Sequence, residues 1–126
     1  MSKIKKATDF TPKERKRIKE RDDGCIFCKI RYHTDECRNP FDLRELEMMH
    51  YIPRGQLGLG IAENAAQGCR FHHWMLDNGN KGRRPEMLRL FKEYLQSHYR
   101  DWKEEDLVYK KYDFQGGAYG TISETD

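Results

Sequence analysis

Two pairs of potential metal ligands, some forty residues apart, restrict how this chain can fold more than any other feature. Cys25 and Cys28 form a C-x2-C pair, and Cys69 and His72 form a C-x2-H pair. Together they offer three thiolates and an imidazole, a set of four that a closed tetrahedral zinc site requires. We therefore predict a structural zinc ion that joins the first pair to the second.

The composition makes such a link important for stability. Of 126 residues, 37% are hydrophobic and 36% are charged, so we expect one small domain with a modest core. Metal binding would then supply much of the folding free energy. Two alternatives stay open: the thiols are ordinary buried groups, or Cys37, in a polar loop, replaces His72 as the fourth ligand.

The compartment also favours metal ligation. No apolar run approaches the roughly 20 residues that cross a bilayer, and the lysine-rich beginning lacks the apolar middle of a signal peptide. We expect a cytoplasmic protein without a membrane partner. Thiols stay reduced in the cytoplasm, which makes thiolate ligation a better prediction than disulfides.

Positive charge is concentrated at the beginning of the chain. Residues 1–21 hold nine Lys and Arg against three Asp and Glu, a net charge of +6, whereas the whole chain carries +3. Such a segment favours a polyanionic partner, most simply nucleic acid. A solvated segment that only aids solubility has the same composition. We expect a basic arm over residues 1–10.

Local patterns predict two helices clearly. In TPKERKRIKERD, Thr11 is a helix N-cap, Pro12 occupies the first helical position and Glu14 completes a capping box, so a basic helix is predicted at about 12–22. The segment PEMLRLFKEYLQSHYRDW repeats apolar residues at three- and four-residue steps and predicts an amphipathic helix that covers the core.

The remaining segments predict shorter elements. LRELEMMHYI is typical of a strand that enters a turn at Pro53, and a second strand is expected near Ile61. A short helix is expected from His72 onward, ended by Asn78 and Gly79. We expect the aromatic side chains near these elements to pack in the core; they are Trp74, Phe91, Tyr94 and Tyr99.

Three stretches in this order resemble the HNH endonucleases, particularly the small phage-type members: RDDGCIFC, LEMMHYIPRGQLGLGIAEN and CRFHHWMLDNG. The resemblance covers about residues 11–80. It implies an α+β fold, a small single domain with a ββα-metal core, zinc knuckles and flanking helices. The nuclease domain with its C-terminal helical extension is expected over residues 11–112, and a flexible tail over residues 113–126.

The resemblance also implies catalytic residues. His50 matches the first histidine of the family pattern, the general base that takes a proton from the attacking water, and an imidazole suits that role near neutral pH. Asn64 matches the asparagine, which either braces the loop that carries the base or contacts the metal. His73 matches the last histidine.

Helix geometry separates His73 from the predicted zinc ligands. Successive helical residues point about 100° apart, so His73 faces away from the ion that His72 binds. Asp77 follows four residues later on the same helical face, a spacing suited to one cation. We predict that His73 and Asp77 bind a catalytic Mg²⁺ or Mn²⁺, although imidazole also admits Ni²⁺, Co²⁺ or a second Zn²⁺.

The chain departs from the family pattern at Met49. Many members carry a His or Asp ligand immediately before the general base, and a thioether is a poor ligand for a hard ion. The ion could instead depend on Asp77, water and substrate phosphate, or borrow Glu47 from the same strand face. Reduced activity or a strict metal preference would follow.

The resulting prediction is a metal-dependent DNA endonuclease, a hydrolase that nicks or cuts both strands, in a host cell if a phage encodes it. DNA is expected to bind mostly through its phosphate backbone. The candidate DNA contacts are Arg15, Lys16, Lys19 and Arg54, the last of which could also be a solvated loop residue. The alternative function is a non-catalytic zinc-knuckle module for DNA binding or assembly, which Met49 favours.

Overall fold

The computed structural model of the chain describes residues 2–110, apart from the side chain of Asn80, and has an α+β fold in one small domain. Five α-helices and one two-stranded sheet form the described part. The elements are α1 (Lys3–Thr8), α2 (Pro12–Asp22), α3 (Ile26–Lys29), β1 (Leu46–His50), β2 (Ala65–Cys69), α4 (Arg70–Asn78) and α5 (Arg84–His98). Short 3₁₀ helices cover Thr34–Glu36, Pro40–Leu43, Arg54–Gln56, Ala62–Asn64, Asn80–Gly82 and Glu104–Leu107.

The predicted basic helix is confirmed as α2. Thr11 Oγ1 accepts a hydrogen bond from the Glu14 N–H at 3.1 Å, which satisfies one of the free donors of the first turn. The carboxylate of Glu14 turns to the N–H of Ala62, at 2.8 Å, and so joins the helix to the segment before β2. The helix ends at Asp22, and its C-cap, Asp23, has a left-handed backbone with φ of 47°.

The two strands pair antiparallel, with Leu46 opposite Cys69 and His50 opposite Ala65. The prediction of a second strand near Ile61 was wrong, since β2 begins four positions later. Its sequence, AAQGC, has little intrinsic strand preference. All five of its residues are buried, and the small side chains of all but Gln67 let helices pack closely on both faces of the sheet.

The core lies on both sides of this sheet. On one face, β1 and β2 pack with α3, α4 and α5. The buried residues of this larger cluster include Phe27, Met49, Ala66, Met75, Leu76, Met87, Phe91 and Leu95. On the other face, Ile18 of α2 packs against Ala62 and Ala65. The sheet therefore holds the basic helix on one side and α4 on the other.

The two later helices follow the predictions closely. The helix α4 begins two residues before His72, with Cys69 as its N-cap, and it ends at Gly79 in the left-handed conformation. The amphipathic helix is confirmed as α5. The expectation of core packing was wrong for Trp74, which is 55% exposed, because it lies on the outer face of α4.

Residues 3–10, which the sequence places in a basic arm, pack against the domain. The helix α1 covers most of them, Thr8 is buried, and the Gly60 N–H donates to the carbonyl of Ala7 at 3.0 Å. The tail expected over residues 113–126 lies outside the described residues. None of the helices within residues 2–110 combines the length and the apolar character needed to cross a membrane.

Candidate metal centre and adjacent histidine site

The four predicted zinc ligands come together in one group, with all their ligand atoms within 4.8 Å of one another. Cys28 Sγ lies 3.7 Å from Cys69 Sγ. His72 Nδ1 lies 3.5 Å from the sulfurs of Cys25 and Cys28 and 3.1 Å from that of Cys69. In a tetrahedral zinc site, sulfurs lie about 3.8 Å apart and nitrogen and sulfur about 3.5 Å apart. The group can therefore hold a metal ion such as zinc.

Each ligand pair sits at the beginning of a helix, which explains the shared spacing. Cys25 is the N-cap of α3, and its sulfur accepts from the Cys28 N–H at 3.3 Å. Cys69 is the N-cap of α4, and its sulfur accepts from the His72 N–H at 3.4 Å. An N-cap side chain accepts from the N–H of the third residue after it. In each pair, the N–H of the second ligand therefore donates to the sulfur of the first.

A backbone carbonyl orients His72. Its Nε2 lies 2.6 Å from the carbonyl oxygen of Tyr32. Because a carbonyl only accepts, Nε2 carries the hydrogen and Nδ1 turns its lone pair to the three sulfurs. Arg31 and His33 both have left-handed backbones, with φ of 55° and 48°, and this turn aims the Tyr32 carbonyl at the buried ring.

The thiols influence one another's ionisation. A hydrogen bond from Cys69 lowers the pKa of Cys25 to about 3, whereas the same contact raises the pKa of Cys69. Burial raises the pKa of Cys28 to about 11. Each ionised thiol therefore opposes the ionisation of its neighbours, and a divalent cation would provide the charge that lets all three ionise.

Cys37 stands outside this group. Its Sγ–H donates to the carbonyl of Asn39 at 3.1 Å, and the residue is partly exposed. The fourth position beside the three sulfurs is taken by His72. Of the two alternatives left open by the sequence, the structure therefore favours His72.

His73 has separate partners on the other side of α4. Its Nδ1 lies 2.7 Å from Glu47 Oε1, and its Nε2 lies 3.3 Å from Asp77 Oδ2. Glu47 lies on β1, two positions before Met49 on the same strand face. Met49 itself is fully buried in the core. At this site, Glu47 is the carboxylate of β1 that contacts the His73 ring.

The contacts of His73 fit a divalent ion on one side of the ring. With a cation bound, Glu47 would accept the hydrogen of Nδ1 and Nε2 would turn its lone pair to the ion. Adjacent ligands of an octahedral ion lie about 3 Å apart, close to the 3.3 Å between Nε2 and Asp77 Oδ2. Within residues 2–110, only the cysteine and histidine group brings three or more candidate ligands to one point, so further ligands here would be water or substrate oxygens.

His50 lies at the end of β1 with its ring half-enclosed. Its Nε2 lies 3.0 Å from the carbonyl oxygen of Thr8, so Nε2 donates and Nδ1 keeps a free lone pair. The Phe10 ring lies 4.5 Å away, centre to centre. Burial lowers the pKa of His50 below its ordinary value of 6.5, against the opposing effect of the Thr8 carbonyl. The imidazole is therefore neutral at pH 7 and can accept a proton at Nδ1.

Asn64 is fully buried, and it bonds to the loop that follows His50. Its Oδ1 accepts from the Ile52 N–H at 2.8 Å, and its Nδ2 donates to the carbonyls of Ile52 and Leu59 at 3.1 and 2.9 Å. These hydrogen bonds hold the backbone of the loop after His50 in place, which is what a bracing residue does. Gly58 is required beside it, because a Cβ there would meet the Ile52 carbonyl and lie 2.9 Å from Asn64 Nδ2.

The predicted DNA contacts divide into two groups. Arg15, Lys16 and Lys19 are exposed on α2. Arg15 and Lys19 line a groove of about 440 Å³ between α2 and β1 that also reaches Glu47. Arg54 instead pairs with Asp9 at 2.9 Å, so it is less available to a phosphate.

Several residues of the site escaped the sequence analysis. Thr8 and Phe10 contact His50, and the only signal for them was one aromatic residue in a lysine-rich stretch. Arg21 was counted as surface charge, but it is mostly buried beside Asp22, 2.6 Å away.

Comparison of the chain with known protein families, with curated proteins and with solved structures found no match.

Proposed function

We propose that the protein is a metal-dependent DNA endonuclease of the HNH type, which hydrolyses phosphodiester bonds. The observation that carries the proposal is the state of His50. Its Nε2–H is bonded to the Thr8 carbonyl at 3.0 Å, so a neutral ring presents Nδ1 as a base. We propose that this base and the His73 and Asp77 pair act on the same phosphate.

In the proposed reaction, His50 Nδ1 accepts the proton of the attacking water. A divalent ion at His73 Nε2 and Asp77, Mg²⁺ or Mn²⁺ by preference, would stabilise the charge that develops on the phosphate and on the leaving 3′ oxygen. Glu47 holds the ring of His73 in the tautomer that leaves Nε2 free. Asn64 holds the loop after His50, so that the base keeps its direction.

The strand, strand and helix order of β1, β2 and α4 supports a ββα-metal core. We propose that zinc at the four-ligand group is structural and fixes the first turn of α4. His73 follows His72 directly, so an ion that holds His72 also sets the position of His73. Zinc bound to His72 on one side of α4 would thus help to position His73 on the other side.

The proposed substrate is DNA, bound mostly through its phosphates. The groove lined by Arg15 and Lys19 also holds Asp23 and Glu47. Glu47 is the carboxylate that contacts His73, so a DNA backbone held by Arg15 and Lys19 would pass near His73. Contacts of this kind give salt-sensitive binding with little sequence preference.

Plasmid nicking in Mg²⁺, Mn²⁺ or Ni²⁺ tests the proposal. We expect His50→Ala to slow nicking about 10²–10⁴-fold, since general base catalysis contributes that much, while zinc content and circular dichroism stay unchanged. His98→Ala, at an exposed histidine on α5, is the matched control and should cut normally. A wild-type protein that binds DNA and never nicks it would contradict the enzyme proposal.

The buried Met49 favours a second candidate, a non-catalytic zinc-knuckle module for DNA binding or assembly, because the strand position used for a ligand in many HNH enzymes is part of the core. The same preparation separates the two functions. For the module we expect DNA binding that Cys25→Ser abolishes, with no nicking in any of the three ions.

A further inference from the structure

We propose that residues 3–10 are a positioning element for the base of the proposed reaction, acting through the Thr8 carbonyl and the Phe10 ring. The inference rests on the proposed function, which needs His50 as a base. It assigns a role to a segment whose charge alone indicates only a polyanion-binding or solubilising arm.

The Thr8 carbonyl is available because α1 ends there. The last carbonyls of a helix have no partner within the helix, and that of Thr8 accepts from His50 Nε2 at 3.0 Å. The Thr8 side chain is buried and its hydroxyl donates back to the carbonyl of Ile4 at 2.9 Å. The side chain and the carbonyl of Thr8 are therefore both hydrogen-bonded. This fixes the direction of the bond that the carbonyl accepts from His50.

The same segment is held against the loop that Asn64 braces. A Cβ at Gly60 would collide with the carbonyl of Asp9 and lie 2.8 Å from the Phe10 nitrogen, so only glycine permits this approach. Asn64 Nδ2 donates to the Leu59 carbonyl, one residue before Gly60. Residues 3–10 and the loop after the base therefore form one framework around His50.

The Phe10 ring covers the imidazole. The two rings lie 4.5 Å apart at a tilt of 37°, and the Arg15 guanidinium lies over the Phe10 ring, 5.7 Å from its centre. The ring thus contacts both the base and a cation on α2. A smaller side chain would admit water to the imidazole, and hydration favours its protonated form.

Charged groups from three elements also act on His50. Asp9, in the same segment, raises its pKa, whereas Arg54 in the following loop and His73 on α4 lower it. Asp9 is bonded to Lys5 at 3.1 Å and to Arg54 at 2.9 Å, so its negative charge is balanced locally. Burial is the largest influence on His50, and Phe10 is the side chain that provides an aromatic cover.

Nuclear magnetic resonance of the zinc-bound protein tests the element without cleavage. In the wild type we expect His50 as the Nε2–H tautomer with a pKa below 6.5. Phe10→Ala should raise this pKa toward 6.5 and admit the other tautomer. The acid limb of the nicking rate should move to higher pH in parallel, and the rate at pH 7 should fall by up to about 100-fold, the cost of a misplaced group.

Controls separate positioning from folding. Phe41→Ala removes an exposed ring elsewhere (66% exposed) and should leave the His50 tautomer and pKa unchanged. Gly60→Ala pushes the segment away by one methyl group and should shift the pKa as Phe10→Ala does; amide dispersion and zinc content report folding in each variant. An unaltered tautomer and pKa in a folded Phe10→Ala or Gly60→Ala protein would overturn the inference. If they change as expected and the wild type never nicks DNA, only the proposed function fails.

Discussion

Two neighbouring histidines on α4 have opposite ring arrangements. His72 donates from Nε2 to a carbonyl and turns Nδ1 to three sulfurs, with Cys69 the nearest at 3.1 Å. His73 is bonded to Glu47 at Nδ1 and turns Nε2 to Asp77. The acceptor at Nε2 of His72 leaves a lone pair on Nδ1, whereas His73 has a carboxylate at each nitrogen and would turn a lone pair from Nε2 to a cation bound beside Asp77. Adjacent residues can thus serve two different ions.

Glu47→Gln is the sharpest test of the His73 arrangement. An amide oxygen still accepts from Nδ1–H but carries no charge, so His73 becomes a weaker ligand. We expect the affinity for Mn²⁺, measured by calorimetry on zinc-loaded protein, to fall about 10–100-fold. Glu45→Gln, an exposed neighbour, is the matched control. Equal Mn²⁺ affinity in Glu47→Gln and wild type would show that Glu47 does not support the ion.

At the scale of elements, one buried ion pair attaches α2 to the rest of the fold. The Arg21 guanidinium donates to Asp22 and to the carbonyls of Ala62 and Ala65 at 2.7 and 2.6 Å. Asp22 accepts from the Gln67 N–H at 2.7 Å and from a tyrosine hydroxyl of α5. Part of the positive charge of the basic segment is therefore internal, and the outer face of α2 keeps the rest.

We expect Asp22→Asn to lower the free energy of unfolding by about 3 kcal/mol or more, because it leaves the mostly buried Arg21 without its counter-charge. The amide group of Asn would also face the N–H of Gln67 and the hydroxyl of Tyr94, which are both donors. Urea unfolding of zinc-loaded protein measures the change. Asp23→Asn is the control, since it is exposed and Asn tolerates the left-handed backbone; a similar loss in both variants would argue against the buried pair.

At the scale of the whole molecule, the candidate metal centre joins short elements. A two-stranded sheet is marginal by itself, and the four residues of α3 are too few for an independent helix. The cluster ties the start of α3 to the junction of β2 and α4. Metal binding and folding should therefore be coupled.

Removal of zinc should abolish the cooperative thermal transition, and added Zn²⁺ should restore it. Near-ultraviolet circular dichroism on heating, before and after chelation, makes the measurement. Cys25→Ser should behave as the chelated protein does, whereas Cys37→Ser, outside the group, should bind zinc and unfold as the wild type. An unchanged thermal transition in the chelated protein would show that the ion does not contribute to the folding of this domain.

Local spacing in the sequence by itself determined the helix α2, most of α5 and the four candidate ligands. It also determined that the side chains of His72 and His73 point in different directions. These features depend on residues one to four positions apart, where helix geometry and capping dictate which atoms meet. The α+β class was what the resemblance to the HNH endonucleases implied. The small residues of β2 carry no comparable local signal, and their strand forms because the helices bury it.

Tertiary structure alone decided which distant groups meet at the site. Glu47 reaches His73 across 26 residues of chain, and Thr8 reaches His50 across 42. The separate position of Cys37, the exposure of Trp74 and the hydrogen bonds of Asn64 to the loop after His50 depend on tertiary structure in the same way. Contacts at such separations depend on how the sheet, the loop and the helices pack together, and the pattern of neighbouring residues does not contain that information.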